Sequence, residues 1–405
     1  MFYVGIDWAQ VTKLHYAILN DDGHKIKVGS FERSLDGIDQ VAEAVESIER
    51  DFENVKVGID RKYDFVCEAL FSKGLEVFPL SPHRTEAERQ AYHPAGDKAD
   101  GVDALLHANI VRKDGGHLQP YLPQKETDVV LRELLKARNS LVEKKKIFKQ
   151  ELKSFLSSYS PVLGNLVGDL SLDWHKELLW KWPLDQEFLH AHGNELNAFL
   201  QKNNMGGSTE KTLRKAKGTR SVYHSSQVAK SYRKMVKQKV EIIKSLEDEI
   251  SGIEEDISDH VARHHDKEII SSLPTNSDNT QAAFCIAFDQ EDQQPRSWSN
   301  YAAYFGMAPV TKSSGKNKSV IMRRAYDEII HKALIDFADS TRRLKNCWAY
   351  DYYQKKRAAG KAHYETLRQL GLKWVKIMHA MWRNRTKYNE NYISARHRQG
   401  QKSAA

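Results

Sequence analysis

Cysteine is scarce. Cys67, Cys285 and Cys347 are the three in 405 residues, far apart and in no CxxC pair, which excludes a disulfide framework and a zinc ribbon. No run reaches the roughly 18 apolar residues of a membrane-crossing helix. The N-terminus, Met-Phe-Tyr-Val-Gly-Ile-Asp, lacks the charged region and long apolar stretch of a secretory leader. The expectation is a soluble chain of a reducing cytoplasm, neither secreted nor membrane-bound. Acids are also in the minority: 62 Lys+Arg face 54 Asp+Glu, for a formal net charge of +8. The imbalance is local, with ten Lys or Arg and one acid, Glu210, between Met205 and Val240. Such a stretch is either a solvated face or a phosphate-binding surface, and the basic total points to a polyanionic partner.

The length exceeds one ordinary core, so two or three domains are expected. Phe2 to Ile6 reads as a buried strand, followed by strands at His15–Leu19 and Lys25–Phe31 around an Asp21-Asp22-Gly23 hairpin turn. Helical spacing over Leu35–Phe52, a strand at Val55–Ile59, a helix at Phe65–Ser72, a strand at Leu75–Leu80 and a helix from about Asp100 complete a βββαβαβα order, which is RNase H-like. Thr127 to about Leu156 is charged and helical. In the next long helix Val236, Ile243, Leu246, Ile250, Ile253 and Ile257 step by 7, 3, 4, 3 and 4, a coiled-coil seam. That seam suits an intramolecular helical hairpin and an intermolecular coiled coil equally. Between the helices lie Trp174, Trp180 and Trp182 and an expected loop at Asn203–Ser208. Beyond Asp266 come apolar segments, a polar loop at Thr311–Lys318, and helices at Glu328–Leu344 and Tyr364–Trp382 that take in Trp374 and Trp382 as core residues, as Trp348 is expected to be.

Asp7 and Asp60 each end an apolar strand, both in the string Val-Gly-Ile-Asp, and Asp100 and Asp103 are i, i+3 partners on one helix face. Carboxylates gathered from strand ends and a helix suit Mg²⁺ or Mn²⁺, and two such ions can hold the attacking and leaving oxygens of a phosphoryl transfer. Ser313-Ser314-Gly315-Lys316 reads by itself as an ordinary polar loop. Around it Lys312, Lys316, Lys318, Arg323 and Arg324 supply cations able to bind phosphate. Lys211, Arg214, Lys215, Lys217, Arg220, Arg233, Lys234 and Lys237 form the second candidate set for nucleic-acid backbone contacts.

Taken together, these segments resemble the DEDD-type insertion-sequence transposases, the RuvC-like recombinases guided by a bridge RNA (the "insertion sequence one-ten" family). The likeness covers nearly the whole chain. It rests on Gly5-Ile6-Asp7, Lys98-Ala99-Asp100-Gly101-Val102-Asp103-Ala104, Leu131-Arg132-Glu133-Leu134 with Arg138, Tyr304-Phe305-Gly306-Met307-Ala308-Pro309, Ser314-Gly315-Lys316, Tyr353, Gly360-Lys361 and Leu367-Arg368. The resemblance implies an α/β plus all-α chain. A RuvC-like metal domain would cover 1–120, a helical coiled-coil region with a basic segment 121–265, a mainly helical transposase domain 266–395, and a disordered tail 396–405. It also implies a metal site of Asp7, Asp60, Asp100 and Asp103, and Ser314, with Ser313 as the open alternative, as the nucleophile of a covalent phosphoserine intermediate. The implied partners are donor and target DNA, a non-coding guide RNA and further copies of the chain as dimer or tetramer, in the cytoplasm of a bacterium or archaeon near the nucleoid. Two positions depart from the family pattern: Asp60 stands where Glu is usual, and Pro274-Thr275-Asn276-Ser277-Asp278 replaces a glycine hairpin. A metal-dependent junction resolvase or nuclease, in which water attacks, needs only the four acids and is the alternative. A third reading, a binding protein with structural acids, ranks last.

Overall fold

β-Branched and aromatic residues dominate Phe2–Asp7, which forms β1, the central strand of a five-stranded sheet. The chain is seen in a computed structural model that describes residues 1–8, 13–60, 65–92, 101–168, 170–274, 277–288, 295–314 and 317–393. Two units emerge, 1–123 and 124–405.

In the first unit β1 is followed by β2 (Lys13–Asn20), β3 (Lys25–Glu32), α1 (Leu35–Glu46), β4 (Val55–Ile59), α2 (Phe65–Ser72), β5 (Glu76–Pro79), α3 (Pro82–Tyr92) and α4 (Val102–Asp114). The sheet order is β3-β2-β1-β4-β5. The β1–β2 and β2–β3 pairs are antiparallel, and β1–β4 and β4–β5 are parallel. Gly23 has φ +81°, the left-handed conformation that the Asp-Gly turn predicts. Strand alternation sorts the side chains. Val4, Ile6, Val57 and Ile59 enter a core that takes in Ile38, Val41, Val66 and Leu70 of α1 and α2, whereas Tyr3 and Phe78 pack with Ala108 and Val111 of α4. Helix α1 stops at Glu46, short of the expected Phe52. Ser47 turns its hydroxyl back to Ala44 O at 2.8 Å, and Asp51 caps a separate 3₁₀ turn by accepting from Glu53 N at 3.1 Å. Helix α3 has no counterpart in the sequence expectation.

In the second unit two long helices, α5 (Glu126–Tyr159) and a later one, α11 (Ser226–Arg263), flank five short ones, α6 to α10 (Pro161–Val167, Asp173–Lys181, Asp185–His190, Gly193–Lys202 and Gly207–Lys217). Next come α12 (Lys267–Ile270), α13 (Asp278–Ala287), α14 (Trp298–Tyr304), the hairpin β6 (Val310–Ser314) and β7 (Asn317–Ile321), α15 (Glu328–Thr341), α16 (Trp348–Ala358) and α17 (His363–Asn384). The long helices pair antiparallel within the chain. Arg138 meets Glu254 at 2.7 Å, Lys149 meets Glu247 at 3.4 Å and Glu151 meets Lys239 at 2.6 Å. The expected seam residues Val236, Ile243, Ile250 and Ile257 are buried, while Leu246 and Ile253 are half-buried. Leu152 and Leu156 share one core with the short helices, and Leu131 and Leu135 share another with α13 to α17. In that second core Trp348, Trp374 and Trp382 are buried as expected, and Arg132 reaches Asp327, the cap of α15, at 2.7 Å. The expected loop at Asn203–Ser208 is a short turn whose last two residues already begin α10. Likewise β6 and β7 occupy the expected loop 311–318. Thr311, Val320 and Ile321 favour extended backbone, and only Gly315 and Lys316, outside the described residues, separate the strands.

All three thiols are buried. Burial pushes the Cys347 thiol up to about 12 and raises Cys285 well above the ordinary range. The native protein should therefore leave Ellman's reagent unreacted at pH 8 over a period in which the guanidinium-unfolded chain reports every cysteine. Fast native labelling would place a thiol at the surface.

Candidate metal centre and nucleic-acid interface

The repeated Val-Gly-Ile-Asp strings lie side by side. In the parallel β1–β4 pair Gly5 faces Gly58 and Ile6 faces Ile59, so Asp7 and Asp60 leave adjacent strands, spaced about 4.8 Å, at the same level. The two glycines let α4 lie against the sheet. A Cβ on Gly5 would sit 1.8 Å from Ala104 O, and one on Gly58 would sit 2.6 Å from Val111 Cγ2 and 2.8 Å from His107 O. Gly101, at φ +83°, starts α4, and Asp103 in its first turn completes a group of three half-buried carboxylates. Burial, and then the like charge of Asp103, raise the Asp7 carboxyl above the usual range. Asp60 adds to this rise, and His107 and His15 oppose it. Such mutual repulsion is relieved by a cation, and oxygen-only donors suit a hard divalent ion, so the residues fit Mg²⁺ or Mn²⁺. Asp100 falls outside the described residues.

Three neighbours of this site carry no sequence signal. Arg89 on α3 places one guanidinium nitrogen 2.6 and 2.7 Å from the two Asp103 oxygens. His107 is fully buried, with Nδ1 2.8 Å from Ile6 O and Nε2 3.2 Å from Thr85 Oγ1. The carbonyl can only accept, so Nδ1 donates its proton to Ile6 O, and Nε2 is left to the threonine hydroxyl. His15 is paired with Asp7 across β1 and β2. A polar residue on a strand or a helix back looks unremarkable until the sheet register is known.

Ser314 ends β6, where its backbone pairs with Asn317, and Ser313 pairs with Lys318. The side chains of Lys312, Ser313, Ser314 and Lys318, and Lys316 entirely, are outside the described set, as is the tail from 394. Arg323 and Arg324 follow β7, Arg324 being exposed. In the other basic set Lys211, Lys215, Arg220 and Lys234 are exposed. Several of its members are engaged within the chain. Arg214 binds Glu210 at 2.9 Å and Asn197 at 2.8 Å, Arg233 binds Glu187 at 2.7 Å, Lys217 donates to Ala191 O, and Lys237 lies 5.1 Å from the Trp180 ring.

Comparison with known proteins gives two family matches. Residues 4–161 match the DEDD-type IS110 transposase model, and residues 267–354 match the transposase family IS116/IS110/IS902. The first match spans β1, β4 and α4, which carry the three carboxylates, and the second spans the serine hairpin. The chain belongs to the IS110 family of transposases. Among curated relatives, y4uE of Sinorhizobium fredii, provisionally named a transposase, is 27% identical over 44% of this chain and 49% of its own, so the match spans about half of that protein. An uncharacterised 42 kDa protein of insertion element IS900 from Mycobacterium paratuberculosis is 26% identical over 74% of this chain and 76% of its own. A mini-circle protein of Streptomyces coelicolor, provisionally named the transposase for IS117, is 20% identical over 96% and 95%.

This IS110-family transposase has a second cluster of ligand-type side chains. His264, His265 and Asp266 bring ligand-type atoms within 4.8 Å of one another. Their hydrogen bonds mark the group as structural. His264 Nε2 lies 2.9 Å from Asp128 Oδ1, His264 Nδ1 accepts from Asp266 N at 3.1 Å, and Asp266 takes Trp382 Nε1–H at 3.0 Å and Arg385 at 2.6 Å. No helix among the described residues of the transposase is long and apolar enough to cross a membrane.

Proposed function

We propose that this transposase cuts and rejoins DNA strands with Ser314 as nucleophile and an acidic site of Asp7, Asp60, Asp103 and Asp100 that holds Mg²⁺ or Mn²⁺. The reading rests on the convergence of Asp7 and Asp60 with Asp103 of α4, where burial and the like charge of Asp103 and Asp60 disfavour a bare Asp7 carboxylate. When bound, the cation supplies Lewis-acid stabilisation of the charge that develops on phosphate oxygens. The serine hydroxyl forms an Oγ–P bond, the P–O bond to the adjoining deoxyribose breaks, and the departing oxygen leaves as a hydroxyl with the serine's proton. The phosphodiester energy is kept for rejoining. Lys312, Lys316, Lys318, Arg323 and Arg324 draw the scissile phosphate to the hairpin. The exposed Lys211, Lys215, Arg220 and Lys234 follow a nucleic-acid backbone, and a guide RNA from the element selects donor and target. The metal domain (1–120), the coiled-coil region (121–265) and the serine domain (266–395) act in a dimer or tetramer in the cytoplasm.

The test incubates the protein with Mg²⁺, labelled donor and target DNA, and RNA transcribed from the element's flanks, and resolves the products on a denaturing gel. A protein–DNA adduct should form and should vanish in Ser314→Ala, with RNA and DNA binding retained. Recombination by Ser314→Ala would sink the serine. Cut DNA without any adduct would favour attack by water.

A further inference from the structure

The second half of α17 and the residues after it enclose, with Trp298 at the start of α14, a cavity of about 520 Å³. Trp298 is 36% exposed and Tyr392 is 61% exposed, both unusually open for such large rings. Lys376 brings its ammonium 5.1 Å from the Trp298 ring centroid. Lys373, on the same wall, lies 5.0 Å from the Tyr352 ring, which Lys356 also approaches at 5.7 Å. Burial, and then the like charges of Lys356 and Lys376, hold the Lys373 ammonium below the usual lysine range. Asn384 and Asn389 add amide donors and acceptors to the lining. Lys387 also lines the cavity, but Glu268 holds it at 2.9 Å.

A half-buried lysine hemmed in by two others is costly until an anion arrives. The open tryptophan is a surface on which any nucleobase can stack. We infer that the cavity takes an unstacked base of a single-stranded nucleic acid, stacked on Trp298, with the flanking phosphates held by Lys373 and Lys376. Lys376 has a flexible stem, so its ammonium can pass from the ring to a phosphate as the base arrives. The inference shares the nucleic-acid reading of this transposase but needs neither the serine nor the metal, so it stands or falls apart from the adduct experiment.

The test measures fluorescence anisotropy of the full-length protein with labelled oligothymidine, oligouridine and a duplex of equal length. Trp298→Ala should weaken single-strand binding about tenfold and leave duplex binding unchanged, and Trp298→Phe should restore most of the loss. Lys373→Ala and Lys376→Ala should each reduce the slope of log affinity against log salt by about 0.7 for single strands. Circular dichroism checks that each variant is folded. A loss for oligothymidine alone identifies a DNA strand, a loss for oligouridine alone an RNA strand, and a loss for both a strand-indifferent site; all three support the inference. Unchanged single-strand affinity in Trp298→Ala, or an equal loss for duplex, overturns it.

Discussion

Asp103→Asn should lower metal-dependent DNA cleavage by on the order of 10³-fold, and Asp7→Asn should do the same, because each removes a negative oxygen donor worth several kcal/mol to a bound cation. Asn keeps the volume and much of the hydrogen bonding, so the sheet should fold normally. The separate readout is thermal. A ligand that binds only the folded state raises the melting temperature by mass action, so Mn²⁺ should stabilise the wild-type protein and neither variant. Asp103→Asn has a second consequence. It takes from Arg89, whose guanidinium spans both Asp103 oxygens, one of its two carboxylate partners and leaves it paired with Glu86. An Asp103→Asn protein that still cleaves DNA and still gains stability from Mn²⁺ would remove Asp103 from the site.

Gly5→Ala should cost about 3 kcal/mol or more, lowering the melting temperature of the first unit by roughly 10 °C. The new Cβ would lie 1.8 Å from Ala104 O and 2.4 Å from Ala108 N. Both are backbone atoms of α4, so no side chain can swing aside and the helix itself must move. Because Asp103 rides on that helix, Mn²⁺ stabilisation should fall along with the melting temperature. Gly116→Ala is the control, since a Cβ there meets nothing within 4 Å, and its effect should stay within about 0.5 kcal/mol. Equal melting temperatures for the two variants would show that α4 does not depend on the bare glycine surface.

That Asp7 and Asp60 lie side by side was largely legible because the signal is local. Each Val-Gly-Ile-Asp string states an apolar strand and an acid at its end, and sheet register did the rest. Arg89 was not legible. Helix α3 buries only Thr85, so it shows no apolar stripe to mark it as a helix, and its pairing with Asp103 depends on tertiary placement. Helix α16 escaped for a similar reason, since its buried residues Trp348, Ala349 and Tyr353 make too short a stripe. The five short helices of 160–217 span between one and three turns each, below the length at which periodicity separates from chance. The serine hairpin read as a loop because its polar, lysine-rich strands lack the alternation of a half-buried sheet. Conversely, the α11 seam was plain over many turns. The structure sets α5 beside it within the same chain.

The antiparallel pairing of α5 with α11 also sets a timetable for synthesis. The apolar stripe of α5 is complete once Tyr159 is made, but the helix that covers it ends at Arg263. At ordinary elongation rates those roughly 100 residues take about 5–20 s. For that interval a 34-residue amphipathic helix has no complete cover from its own chain. On polysomes, neighbouring nascent chains expose the same stripe, so slower translation between Tyr159 and Arg263 lengthens the period in which they can pair wrongly with one another.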